Sequence, residues 1–245
     1  MLKIVATLFT LALLTACATH PKTLVSRPPI KRIAVIPASN PRWYTFENAT
    51  PPVGYPFQFW VNKLDSKNKA KLFNDQMNAR PTTLGDDLTQ QVVAALRGYG
   101  FTVEVLDGLK RPPDDPDNID YDKVSADADA ILHVWISEVG MYSSHMSRDY
   151  IPRVNVSGKM FVKGADDNIY DDDIYYGVDA KKGKEWAIMP DAKFAYPSFD
   201  DVMSRIDEVR SAFEIGSVEI SKRMSDQINN TVKNSAAGVG ATTGR

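Results

Sequence analysis

Two short apolar runs joined through an amphipathic helix limit what this chain can fold into more than any other feature. Lys31-Arg32-Ile33-Ala34-Val35-Ile36-Pro37 is β-branched, apolar on both alternating faces and ended by proline. Such a strand has to be covered on both sides, which places it in the middle of a sheet. From Thr83 onward, Leu84, Leu88, Val92 and Leu96, with Val93 beside them, make one helical stripe. Thr82 or Thr83 is placed to cap its start, and Asp86 and Asp87 suit the positive end of the helix dipole. Arg97 lies in the last turn, Gly100 supplies a left-handed stop, and Phe101-Thr102-Val103-Glu104-Val105-Leu106 then alternates as a strand. Strand, helix, strand predicts an α/β fold.

The second half continues the pattern. Ala130-Ile131-Leu132-His133-Val134-Trp135-Ile136 is apolar on both faces and reads as another buried strand. Val154, Val156, Met160 and Val162 alternate with Arg153, Asn155, Ser157 and Lys159, the pattern of a strand with one core face and one wet face. Turn residues at 164–168 lead to Tyr170, Ile174, Tyr176 and Val178, which completes a β-hairpin. Val202, Ile206, Val209 and Phe213, then Ile220, Met224 and Ile228, predict a long C-terminal helix bent near Gly216. Residues 107–120 read as a loop, followed by a short helix near 122–127 before the strand at 130, and 179–199 read as a second loop. The expectation is a single α/β domain over 31–230, with a mixed sheet of about four or five strands under the helix at 83–99 and the C-terminal helix. The small polar residues of 231–245 read as a disordered tail.

Residues 38–80 interrupt this order as an insertion. They lack a clear period, are punctuated by Pro51, Pro52, Gly54 and Pro56, and concentrate Trp43, Tyr44, Phe46, Tyr55, Phe57, Phe59 and Trp60. The segment from Asp65 to Met77 is polar enough for an exposed helix. A structureless loop of that length is unusual in a compact domain, so the rings either pack on the sheet or form a surface for a partner. Tryptophan and tyrosine dominate protein interfaces, and insertions on a rigid scaffold are common sites of recognition. A third use of such rings is contact with the headgroup layer of a membrane.

Composition narrows the chemistry. The 245 residues are 43% hydrophobic, enough for one core, and 29 Lys and Arg against 31 Asp and Glu leave no basic field for nucleic acid. One cysteine and three histidines supply too few donors for a zinc or iron-sulfur centre, and no cofactor motif occurs. The cysteine itself is informative. Residues 1–16, MLKIVATLFTLALLTA, carry one cation at Lys3 and an apolar run too short for a transmembrane helix, which needs about 20 residues. This reads as a signal peptide. Leu14-Thr15-Ala16-Cys17 matches the lipobox of bacterial lipoproteins, which makes Cys17 the expected first residue of the mature chain and the site of lipidation. Several acyl chains on one residue anchor far more firmly than one. Ala18, rather than aspartate, follows the cysteine, which favours the outer membrane with the body facing the periplasm. Residues 17–30, with three prolines, form a flexible tether. With the only thiol lipidated, packing alone has to stabilise the domain.

The motifs KRIAVIP, LTQQVVAALRGYGFTVEVL and ADAILHVWISEVG, followed by a hairpin, resemble the curli-channel lipoproteins, the penicillin-binding-protein activator lipoproteins and the N-terminal domain of the Tol-system propeller protein. The likeness covers about 33–36 and 83–178. It implies an envelope module that docks on partners and is not an enzyme. The aromatic insertion and the long C-terminal helix depart from that pattern, so no particular partner carries over.

No catalytic constellation stands against this. His133 sits in a buried strand, where a satisfied core histidine is the expectation. His145, near Ser143, Ser144 and Asp149, lacks the G-x-S-x-G turn of a hydrolase. The aspartates of 114–122 and 166–173 break calcium-loop spacing at Ile119 and Ile169 and read as solvated turns. The expected function is a non-catalytic outer-membrane lipoprotein that acts as an envelope accessory or assembly factor by docking on a protein partner. The alternative is a small-ligand or glycan-binding lipoprotein in which the same rings line a cleft.

Overall fold

A computed structural model describes residues 29–48, 56–109, 111–112, 115–143, 149–165 and 167–240, with the side chains of 56–64 and 236–240 excepted. Cys17, the signal segment, all but the end of the tether, Tyr55 and His145 lie outside the described residues.

Seven strands form one mixed sheet: β1 (Arg32–Ile36), β2 (Thr45–Asn48), β3 (Thr102–Val105), β4 (Ala130–Ser143), β5 (Tyr150–Phe161), β6 (Asn168–Gly177) and β7 (Ala187–Ile188). Their order is β3-β1-β4-β5-β6-β7, with β2 also paired to β4. β1 lies parallel between β3 and β4, the central place that its two apolar faces demand. β4, β5 and β6 form an antiparallel meander, so the expected hairpin is present. The sheet exceeds the four or five strands expected because β2 and β7, four and two residues long, are too short to show a period.

Four helices accompany the sheet: α1 (Pro56–Met77), α2 (Leu84–Gly98), α3 (Phe199–Ser204) and α4 (Ile206–Gly240). The stripe of α2 and that of α4 close one face of the sheet, where Val35, Leu132, Val154 and Val156 are fully buried. At the β3-β1-β4 end the opposite face is covered by the connection from β3 to β4, which buries Ala34, Ile36 and Ile131 with Val124. The expected short helix near 122–127 is a single 3-10 turn, Tyr121–Lys123.

The C-terminal helix differs from the expectation in two ways. Its break falls at Arg205, between α3 and α4, and not at Gly216. Ser198 caps α3 by accepting from the Asp201 amide at 3.1 Å. Gly216 instead lets the helix approach the sheet, since a Cβ there would lie 2.6 Å from the buried ring of Tyr176. The helix also runs to Gly240, so 231–240 is helical, where a disordered tail was expected. Val232 extends the apolar stripe one step beyond Ile228 and packs on the core.

This contact is measurable. Gly216→Val is expected to cost about 1–3 kcal/mol through overpacking against Tyr176. Gly98→Ala, with nothing within 4 Å of the added methyl group, is expected to be neutral or to stabilise by up to about 1 kcal/mol. Chemical denaturation of both variants checks the contrast.

Candidate binding groove

β1 and β2 lie along the same edge of β4. β1 pairs with Ala130–His133, β2 pairs with Gly140–Ser143, and both are parallel to it. Gly140 permits the second pairing, because a Cβ there would fall 1.9 Å from the Thr45 carbonyl oxygen. Residues 37–44 swing out between the two strands, and the register of β4 with β5 shifts between Ile136 and Glu138 opposite that gap. Bulges of this kind re-aim side chains beside functional sites. The carboxyl end of β1 is also where the chain crosses to β3 on one side and β4 on the other, the position at which open α/β sheets bind ligands. Two adjoining hollows open there. One of about 850 Å³ lies between 37–42, the start of α2 and the residues Val105, Asp107, Arg111, Pro112 and Pro116. The other, about 310 Å³, lies between 39–45, Pro116–Asp117 and Ile136–Val139.

The wall they share is held from four directions. Asn40 Oδ1 accepts from the amides of Gly85 at 2.8 Å and Asp86 at 3.3 Å, which caps α2 from outside the helix. Gly85 allows this approach, since a Cβ would meet the Ser39 carbonyl oxygen at 2.5 Å. The sequence had assigned that cap to Thr82 or Thr83. Thr83 makes no side-chain cap bond and donates to Asp87 instead, while Thr82 accepts from Leu84 at a long 3.3 Å. Ala38 donates to Thr89 Oγ1 at 2.9 Å, and Asn74 clasps the backbone of Tyr44 through both amide atoms. Arg111 donates to Ser39 Oγ at 2.8 Å, to the Pro116 carbonyl at 3.0 Å and to the Pro37 carbonyl. It also pairs with Asp117 at 3.2 Å. Nothing in the unpatterned, proline-rich loop around Arg111 marks it as the residue that ties these segments together.

The aromatic residues do not act as one surface. Tyr44 is 1% exposed and stacks on Phe213, with ring centroids 6.0 Å apart, and Phe46 is 6% exposed and stacks on Tyr150 at 4.7 Å. Both are core, so neither belongs to the partner-binding set expected for them. Trp43, between Arg42 and Tyr44, is 62% exposed and lines the smaller hollow. Phe57, Phe59 and Trp60 fall on α1, with their side chains outside the described residues. The helix at 65–77 is exposed on one side only, because Phe73, Asn74 and Met77 are buried.

Burial sets the titration near the groove. Asp117 is pushed up by burial, opposed by hydrogen bonds from Ser39 and the Arg111 charge. His133, 1% exposed, faces the covered side of the sheet, and its Nδ1 shares a hydrogen bond of 2.9 Å with the Tyr121 hydroxyl. Its Nε2 has no hydrogen-bond partner among the described residues. Burial, with Arg111 and Lys159 adding to it, lowers the imidazole to about 4. It is a neutral core group, beside Trp135 at 4.8 Å.

Fold and groove together define an α/β module with a tryptophan-rimmed cleft at the carboxyl end of its central strand. No protein-family model matches the chain, and no curated protein matches it by sequence. In structure it is similar to a Xanthomonas campestris protein of the DUF330 family, with TM-score 0.41 and 11% identity over 86% of this chain and 90% of that one. It is similar to a lipoprotein of Neisseria meningitidis, with TM-score 0.31 and 13% identity over 62% and 87%. A Caulobacter crescentus protein assigned as a lipoprotein gives TM-score 0.32 and 11% identity over 63% and 87%. Two of the three thus carry lipoprotein in their names. None bears the name of the curli-channel, penicillin-binding-protein activator or Tol-propeller proteins, and at these scores none assigns a residue of the groove.

Asn40→Ala is expected to cost about 1–2 kcal/mol, against at most a few tenths for Thr83→Ala, because only the first removes the cap of α2; urea denaturation distinguishes them. His133, with a folded pKa below its unfolded value of about 6.5, contributes its stability in full above that pH and loses it as pH falls towards 4. Between pH 7 and pH 5 the protein should lose about 2 kcal/mol that the His133→Gln variant does not. Equal losses in both would refute the assignment.

Proposed function

We propose that the protein is a lipid-anchored module of the bacterial envelope that acts by docking rather than by catalysis, and that its partner presents an extended segment to the cleft at the end of β1. The observation that carries this is Trp43. A large aromatic side chain stands 62% exposed on a segment whose neighbours are pinned by Asn40, Asn74 and Arg111. Exposed tryptophan on a rigid support is the usual composition of an interface anchor. The two hollows follow the bulged-out segment along its length, and their walls mix prolines, amides and charges of both signs. That lining suits the backbone and side chains of a peptide better than a compact apolar ligand.

Anchoring rests on Cys17 and its lipobox, and the outer membrane is favoured by Ala18. The names of the structural neighbours agree with the class, though not with a compartment. Photo-crosslinking from position 90, exposed on the rim of the larger hollow, should recover one defined protein in intact envelopes, and Trp43→Ala should lose it. Recovery unchanged by Trp43→Ala rejects the cleft as the docking surface. Cys17→Ala should separately leave the precursor unprocessed or release the protein from the membrane fraction, and unaltered fractionation rejects the anchor.

A further inference from the structure

On the far side of the sheet from α2 and α4, the hairpin end has no covering layer of its own among the described residues. Direct cross-strand partners point to one face, so Ser157 with Asp173, and Asn155 with Tyr175, form adjacent rows of that surface. β7 brings Trp186 against Tyr175, with ring centroids 5.3 Å apart and planes at 82°. A group in the angle between them meets two aromatic surfaces. Asp172, Asp173 and Asp179 complete a hollow of about 540 Å³ beside these rings, with Lys181 as its cation. Lys181 forms no ion pair with them among the described residues.

We propose that this corner binds an alkylammonium group, best a methylated one of the choline type. Perpendicular rings backed by carboxylates attract a cation through both ring faces and net charge. The choice of a methylated cation follows from the rings, whose faces offer apolar contact and a negative field but no lone pair for an N–H donor. Asp173 accepts from Ser157 at 2.5 Å and from the Tyr175 hydroxyl at 3.3 Å, and Asp172 accepts from the Asp173 amide at 2.9 Å. Asp179 accepts from Asn155 Nδ2 at 2.9 Å and pairs with Arg153 at 2.8 Å. The chain's own donors thus hold these carboxylates in place, and a quaternary cation asks of them only field. The acidic wall is fixed from the sheet. Asn155, 6% exposed, donates through Nδ2 to Asp179 and holds that carboxylate beside the rings. The Tyr175 hydroxyl is pushed up by burial and by Asp173, Asp179 and Asp172, which agrees with a negative field at the rings.

The test titrates choline chloride into the full chain reconstituted in phosphatidylglycerol vesicles, following the heat of binding by calorimetry against sodium chloride. Saturable binding is expected, with none for the neutral isostere 3,3-dimethylbutanol. Trp186→Leu and Asp173→Asn should weaken it about tenfold, within the range of a desolvated cation–π contact. Lys181→Ala, an exposed change that leaves the fold alone, should tighten it severalfold by removing a like charge. Phosphatidylcholine in the vesicles should reduce the apparent affinity if the group arrives on a lipid headgroup and leave it unchanged if it arrives on a soluble compound; either result supports the site. Absence of saturation, equal binding of the isostere, or indifference to both Trp186→Leu and Lys181→Ala overturns it.

Discussion

One edge of one strand organises this molecule. β4 is fourteen residues long, and the chain uses the same edge of it twice, first with β1 and again with β2, both parallel. A parallel partner that leaves an edge and returns to it further along, without reversing, has to step out of the sheet in between. Residues 37–44 are that step, and the cleft is the space it leaves. The constraint explains why the segment is pinned so heavily. Its backbone groups lack sheet partners in the step, so Thr89, Asn74 and Arg111 supply hydrogen bonds that a ladder otherwise would. The shape of the cleft is therefore fixed by the chain's own hydrogen bonds.

The parts of this design with a period were legible in the sequence. β1, α2, β3, β4 and the hairpin each repeat apolar residues at 2 or near 3.6 positions, because each lays one face or both against a core. β2 escaped notice because Thr45-Phe46-Glu47-Asn48 is a single alternation set among prolines. The alternation is nonetheless there: Trp43 points outward while Tyr44 and Phe46 are buried. The other rings of 43–60 mask it in the sequence. The cap of α2 was unreadable for a different reason. Asn40 and Gly85 are 45 residues apart, and only the tertiary approach of Ser39 to Gly85 brings them together. Local cap rules see Thr83 and stop there.

The close fit of α4 to the sheet shows how small residues carry long-range geometry. Gly216 lies over Tyr176, and Gly158 of β5 lies under Met224, whose terminal atoms approach within 2.9 Å of where a Cβ would stand. Ser217, Ser221 and Ser225 are buried along the same helix. Small side chains at one-turn spacing let backbone and sheet come near, and the large apolar residues beside them then fill the remaining space. The helical pattern predicted that α4 packs on the sheet, but how closely it does so depended on residues that hydrophobic periodicity does not count.

Arg153 links the two ends of the wet face. Its side chain is 10% exposed, donates to Glu138 at 2.6 Å and to Asp179 Oδ1 at 3.2 Å, lies 3.9 Å from Glu47, and sits over the Tyr142 ring at 4.4 Å. Its Nε is 2.8 Å from Asp179 Oδ2 as an ion pair, at an angle that makes no hydrogen bond. Burying a guanidinium costs several kcal/mol unless its partners compensate, so this arrangement holds only while the carboxylates stay in place. Glu138 lines the cleft beside Trp43, and Asp179 lines the hollow beside Trp186. The same charge therefore positions a wall of each site. Displacing either carboxylate leaves the guanidinium less well paired and raises the cost of disturbing the other, so the two walls are held through one side chain.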